Sequence, residues 1–199
     1  MKYHHGNLKE ELISSACNIC EASGHDHMSL RSIAKEANVS QTAPYRHFKT
    51  KEDLLAEVSK RGFEKLAKIL NQASSQNENM TAKERFIEMG IAYVKFGLER
   101  KNTYDLMHSP IIDKTDFPEL LEAASSAFDE LIKIIAELNP GISDADLSRQ
   151  CIRHWAQVHG LVGLVGDTKI DESVGTNAGD AMSIVTKDLR SFLTMALDF

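Results

Sequence analysis

Three cysteines, Cys17, Cys20 and Cys151, in 199 residues are too few to frame a disulfide-stabilised fold. Reduced thiols are the expectation. No apolar run approaches the roughly 18 uncharged residues that a membrane span needs, because charge interrupts every hydrophobic stretch within a few residues. The opening "MKYHHGNLKE" lacks the apolar segment of a secretory signal, so the expected location is the cytoplasm. A general basic excess is also missing, since the net charge is -6. The acidity is uneven, however. Residues 1–68 carry 11 Lys and Arg against 9 Asp and Glu, and the remainder carries 12 against 20. The first part can approach a polyanion, whereas the second would be repelled by one.

Period-two alternation, the mark of a strand, is nearly absent, and helical periodicity runs through most of the chain. The expected fold class is all-α, with about nine helices. Asn7 and Glu10 suit a capping box for a first helix over 7–23, with Leu8, Leu12, Ile13, Ala16, Cys17, Ile19 and Cys20 on one stripe. Ser29 opens a second, directing Leu30, Ile33, Ala34 and Ala37 inward, and Asn38 suits a left-handed stop. Ser40 begins a short third helix, with Pro44 in or just past its first turn. Thr50 caps a fourth, with Asp53 returning the bond, and it runs to about residue 73. Further helices are expected from Thr81 to about Arg100, after "KN", and over 117–138, 143–166 and 173–197.

Two helices joined by the tight turn "ANVS", the second short and polar on its outer face, describe a helix-turn-helix. Ala34 and Val39 have the size and spacing to pack the crossing. Gln41, Thr42, Tyr45 and Arg46 are left to project. A side-chain amide reads adenine, and an arginine reads guanine or grips phosphate, so this face suits duplex DNA.

The run "SLRSIAKEANVSQTAPYRHFKTKEDLL" closely resembles the DNA-binding domain of the tetracycline-repressor (TetR) family, with the likeness extending over about residues 7–65. That resemblance implies an N-terminal helix-turn-helix domain over 1–50, together with the start of the fourth helix to about residue 68. A C-terminal helical bundle over 69–199 would bind a ligand and form a homodimer through the last two helices. It implies a palindromic DNA operator, recognition helices in major grooves about 34–36 Å apart, and release by a small-molecule effector. Repression is the usual mode of the family. Carried across by residue, Arg31 and Gln41 match base-facing positions, and Thr42 joins them. Tyr45, His47 and Lys51 match phosphate-facing ones. Ser29 would cap the second helix and touch phosphate, and Ser40, Pro44 and Arg46 complete the proposed DNA-binding set. "YHHGNL" and "WAQVHG" resemble a subgroup carrying a Trp-x-x-x-His-Gly element, here Trp155, His159 and Gly160.

Trp155 and His159 share a helical face, so they either line a ligand pocket or pack a core. Tyr93, Phe96, Tyr104, Met107 and His108 could line the same cavity, with core packing the default for the apolar ones. "CNIC" falls within a helix and reads as buried thiols rather than a redox or metal pair. "GHDH" reads as a solvated turn, and neither a metal nor a cofactor is expected. Lys2, Tyr3, His4 and His5 form either an arm toward DNA or a disordered tail. Gly160, Gly163 and Gly166 each cost a helix about 1 kcal/mol relative to Ala, which points to a close neighbouring helix, across a dimer axis for instance, or to fraying at Gly166. The last helix has more apolar surface than its own core needs. No Gly-x-Ser-x-Gly elbow, phosphate loop or dinucleotide fingerprint stands in the chain, so an enzyme is not expected. A purely protein-binding bundle would leave the polar third helix without a purpose.

Overall fold

The computed structural model describes residues 8–75, 79–166, 183 and 185–195. Every regular element among them is helical, and no strand occurs. The α-helices are α1 (Leu8–Ser23), α2 (Leu30–Glu36), α3 (Lys51–Ser75), α4 (Ala82–Glu99), α5 (Lys101–His108), α6 (Pro118–Leu138), α7 (Asp144–Gly166) and α8 (Leu189–Met195), with short 3-10 turns at His25–His27, Pro44–Arg46 and Lys114–Asp116. The expected arm at residues 2–5 and the start of the expected helix over 173–197 lie outside the described residues. Contacts group the chain into two compact units, residues 1–65 with 100–125, and 66–99 with 126–199. The divisions fall inside α3, between α4 and α5, and inside α6.

The first unit is built on the apolar stripe of α1, whose Leu12, Ile13, Ala16 and Cys20 are buried. Burial pushes the Cys20 thiol up to about 11 and raises Cys17 as well, so both are held as thiols rather than reactive thiolates. Two joints fasten this helix. Arg61 of α3 donates from Nη2 to both carboxylate oxygens of Glu10, at 2.7 and 2.8 Å. At the other end, Asn102 of α5 donates to the Glu21 carbonyl at 2.8 Å, and the Thr103 hydroxyl donates to the Glu21 carboxylate at 2.6 Å. Gly62 of α3 faces Met107 of α5, where a side chain at 62 would meet the thioether.

Asn38 sits at φ 52 and stops α2, as its short amide side chain allows. Gly141, at φ 83, ends the "NPG" turn after α6.

The second unit packs α4 against α7 and α8. Thr81 and Glu84 cap α4 reciprocally, at 3.2 and 2.8 Å. Gly97 lets α7 approach, since a Cβ there would lie 2.5 Å from Val162 Cγ1. No described residue of the chain supplies the close approach expected at Gly160 and Gly163. Both are exposed, and a Cβ on either would meet nothing within 4 Å.

These two kinds of close approach should respond unequally to an added methyl group. Gly97→Ala forces the β-branched Val162 to move and is expected to cost about 1–3 kcal/mol in urea denaturation, with Val162→Ala restoring part of the loss. Gly62→Ala would meet the thioether of Met107 and Thr103 Cγ2, the latter at 3.1 Å. A helix-propensity gain of about 1 kcal/mol offsets part of that adjustment, so it is expected to cost less than Gly97→Ala.

Candidate nucleic-acid interface

Ser29 caps α2, its hydroxyl accepting from Ser32 N–H at 3.0 Å, while Ser32 Oγ accepts from Ser29 N–H at 2.9 Å. Behind the left-handed Asn38, Val39 N–H donates to the Ala34 carbonyl at 2.9 Å and closes the turn. Val39 is half-buried and Ala34 is buried.

The segment after it is not the regular helix expected from Ser40. In an α-helix capped by Ser40, the first ladder bond would run from the N–H of residue 44 to the Ser40 carbonyl. Pro44 has no N–H. Ala43 N–H donates to that carbonyl instead, at 2.9 Å, and the first regular turn is the 3-10 segment Pro44–Arg46. Phe48 N–H then donates to the Pro44 carbonyl at 2.9 Å. The inward residues are Ala43, Pro44 and Phe48, all buried. Pro44, expected among the DNA-binding residues, is buried.

On the other side, Ser40, Gln41, Thr42, Tyr45, Arg46 and His47 are exposed, with 55% of the Tyr45 surface open. Ser29 and Arg31 are exposed at the start of α2, and Lys51 is half-buried at the start of α3. The structure thus brings nine of the ten sequence-predicted DNA-binding residues to the surface of one stretch of chain. Sequence reasoning passed over Lys49, which is exposed between His47 and Lys51. Its cationic side chain, two residues from each, was the available signal.

Asp53 fastens this stretch to α3, as the sequence suggested from Thr50. Asp53 N–H donates to Thr50 Oγ1 at 3.1 Å, and Thr50 N–H donates to Asp53 Oδ2 at 2.9 Å. The same oxygen also accepts from Lys49 N–H at 2.8 Å. Nearby, Lys9 Nζ lies 3.0 Å from Glu57, and Lys60 pairs with both Glu57 and Glu119. Burial alone would raise the Glu57 carboxyl, but Lys9 and Lys60 outweigh it and hold it low. These pairs border a cleft of about 240 Å³ that His47 and Asp53 also line.

The seven residues suggested for one ligand cavity fall into two groups. Tyr93, Phe96, Trp155 and His159 belong to the second unit, and Tyr104, Met107 and His108 to the first. In the second unit Trp155 Nε1–H donates to Tyr93 Oη at 3.1 Å, and Tyr93 Oη lies 3.4 Å from His159 Nδ1. Phe128 meets Trp155 edge-on at 5.8 Å, and Phe86 meets His154 likewise at 4.9 Å. In the first unit the Tyr104 and His108 rings pack at 4.5 Å, and Met107 is fully buried.

A short segment anchored on one side, polar on the other, and cationic at its exit defines a helix-turn-helix protein of the DNA-binding class. Residues 12–58 match the model of bacterial regulatory proteins, tetR family, and residues 86–183 match the tetracyclin repressor-like C-terminal domain. The chain belongs to the tetR family and is a DNA-binding transcription regulator. It is similar to a protein of unknown function from Rhodococcus sp. RHA1, with 29% identity and a TM-score of 0.72 over 96% of this chain and 97% of the other. A structure titled a possible TetR family transcriptional regulator from Streptomyces coelicolor A3(2) shares its fold at 18% identity and a TM-score of 0.62, over 94% and 91%. So does the TetR family regulator PfmR of Thermus thermophilus, at 16% and 0.58, over 77% and 84%. No curated protein matches the chain.

Burial lowers the pKa of His159, and burial with the Arg153 charge lowers that of His154, so both imidazoles are neutral in the fold. The unfolded chain takes up these protons first. Stability is therefore expected to be full above the ordinary histidine value of about 6.5 and to decline as pH falls through the lowered values. Urea denaturation across that range should show a shallower decline for the double variant His154→Asn, His159→Gln.

Proposed function

We propose that this regulator is a cytoplasmic homodimeric repressor, not an enzyme, which binds a palindromic operator and is released by a small-molecule effector. Residues 1–50, with α3 to about residue 68, carry the DNA contacts, and 69–199 carry effector binding and dimerisation. The observation behind this reading is the exposure of Gln41, Thr42, Tyr45 and Arg46 on a segment whose opposite side is buried. Tyr45 is 55% open beside the exposed Arg46. Against a duplex, the aromatic body packs on the backbone and the hydroxyl meets a phosphate. Arg31, Gln41 and Thr42 are assigned to base edges, and Ser29, Ser40, Tyr45, Arg46, His47 and Lys51 to the backbone.

Dimerisation is supported by one face of α7. Ile152, Ala156, Gly160, Gly163 and Leu164 are exposed and recur at helical spacing, and Ile152 and Leu164 are 53% and 49% open. Gly160 and Gly163, where a Cβ would meet no described residue within 4 Å, lie on this face. A second copy of α7 would bury it and use the close approach that they permit. Met195 of α8, 71% exposed, supports the same role for the last helix. Effector binding is assigned to Tyr93, Phe96, Trp155 and His159, where a hydroxyl, an indole N–H and an imidazole converge among aromatic rings. A bound effector would favour a dimer that fits the operator poorly, and operator would weaken effector binding by the same free energy.

Two experiments test these assignments. Gln41→Ala is expected to change sequence preference in a binding-site selection, and Lys51→Ala to weaken all duplexes alike while lowering the salt slope by about 1. Unchanged binding in both variants, or no affinity of the folded wild type for any duplex at low salt, would remove the DNA assignment. Gly160→Glu places a charge on the α7 face, and sedimentation should report a folded monomer with weakened operator binding. A dimer as tight as the wild type would show that α7 is not the interface.

A further inference from the structure

We infer that Asp53 is a positioning residue for backbone recognition, setting His47, Lys49 and Lys51 in register through the hydrogen bonds of one carboxylate oxygen. This deepens the proposal that His47 and Lys51 face phosphates, and it rests on that reading. The geometry departs from the other reciprocal caps in the described residues. At α4, Glu84 Oε2 accepts one backbone N–H, that of Thr81, and its hydroxyl. At α7, Asp146 Oδ2 accepts the Ser143 hydroxyl. At α2, Ser32 accepts the single N–H of Ser29. Asp53 Oδ2 accepts two consecutive backbone N–H groups, Lys49 at 2.8 Å and Thr50 at 2.9 Å.

The second bond is the informative one. A cap needs only Thr50, so the tie to Lys49 reaches outside the helix and into the exit from the recognition segment. Phe48, 2% exposed, pins that exit from inside the unit, and the Asp53 oxygen fixes the peptide planes that follow. Around these two anchors the chain has little freedom: His47 stands just before Phe48, and Lys49 and Lys51 follow it at alternate positions. Long lysine side chains lose rotamer entropy on gripping phosphate, so a fixed backbone reduces what remains to be ordered on binding. A short Asp suits the task better than the usual Glu, because its oxygen stays close enough to bridge both N–H groups. The arrangement has an electrostatic cost, since a carboxylate stands beside a surface assigned to a polyanion. That cost makes the positioning role separable from charge.

Fluorescence anisotropy of the full chain, with one duplex recovered by selection on the wild type and one of random sequence, tests the assignment. Asp53→Ala is expected to weaken both duplexes by the same factor, about tenfold, leaving their ratio unchanged. Asp53→Asn keeps an oxygen that accepts both N–H groups and removes the charge. It should bind both duplexes at least as tightly as the wild type. Glu84→Ala, which removes a cap far along the chain, serves as the structural control and should lower the melting temperature without weakening DNA binding. The inference is overturned if Asp53→Ala binds like the wild type, if Asp53→Asn falls as far as Asp53→Ala, or if Glu84→Ala weakens DNA binding equally. A wild type that binds neither duplex overturns the DNA assignment itself, a result distinct from any of these.

Discussion

The burial of Phe48 is the contact on which the segment proposed to face DNA depends. A stretch of eight or nine residues cannot hold a helix alone, because nucleation costs more than its few hydrogen bonds return. Here the ladder is poorer still, since Pro44 removes the first α-type bond. Ala43, Pro44 and Phe48 settle the matter by burying one side against the unit formed by α1, α2 and the start of α3. The polar side chains are then displayed as a consequence of what is hidden behind them. Any substitution that loosened Phe48 would disperse Gln41, Tyr45 and Arg46 before it affected the rest of the chain.

Much of this was legible in the sequence, for reasons that differ by element. Ser29, Thr50, Thr81 and Ser143 announced helix starts because capping is local chemistry. Asn38 announced a stop for the same reason, and its φ of 52 agrees. The outward direction of Gln41 and Tyr45 followed from where the apolar residues stood. What was not legible depended on contacts across the chain. The conformation of the recognition segment turned on which carbonyl Pro44 leaves unserved, a matter of register by one residue. The glycines of α7 signalled a close neighbour, and only the fold showed that Gly97, in α4, is the glycine pressed against Val162, while Gly160 and Gly163 face open space. The division of the suggested ligand residues between the two units was likewise invisible to periodicity, because Tyr104 and Trp155 look alike as aromatic positions in amphipathic helices.

The charge asymmetry of the sequence acquires a more specific meaning in three dimensions. Several of the cations in the first unit are already engaged: Lys9 and Lys60 by Glu57, and Arg61 by Glu10. These pairs hold helices together and are poorly placed to seek phosphate. Arg31, Lys35, Arg46 and Lys49 are exposed, and Lys51 is half-buried, so the proposed DNA surface draws its cations from these positions. A count of charges along residues 1–68 therefore overstates the surface available to DNA, although it identifies the correct half of the chain.

The joint between Glu21 and the pair Asn102 and Thr103 spans about eighty positions of the chain. It makes the first unit discontinuous, and synthesis on the ribosome proceeds from one end. Helices α1 and α2 emerge early, but their docking surface is incomplete until α5 has been made, because loop closure over so long an interval precedes the contacts that reward it. A nascent chain halted before residue 100 would leave the flank of Cys20 uncovered, a natural target for chaperones. The exposed segment over residues 40–47 precedes α3, yet the unit that supports it is completed only by helices beyond residue 100.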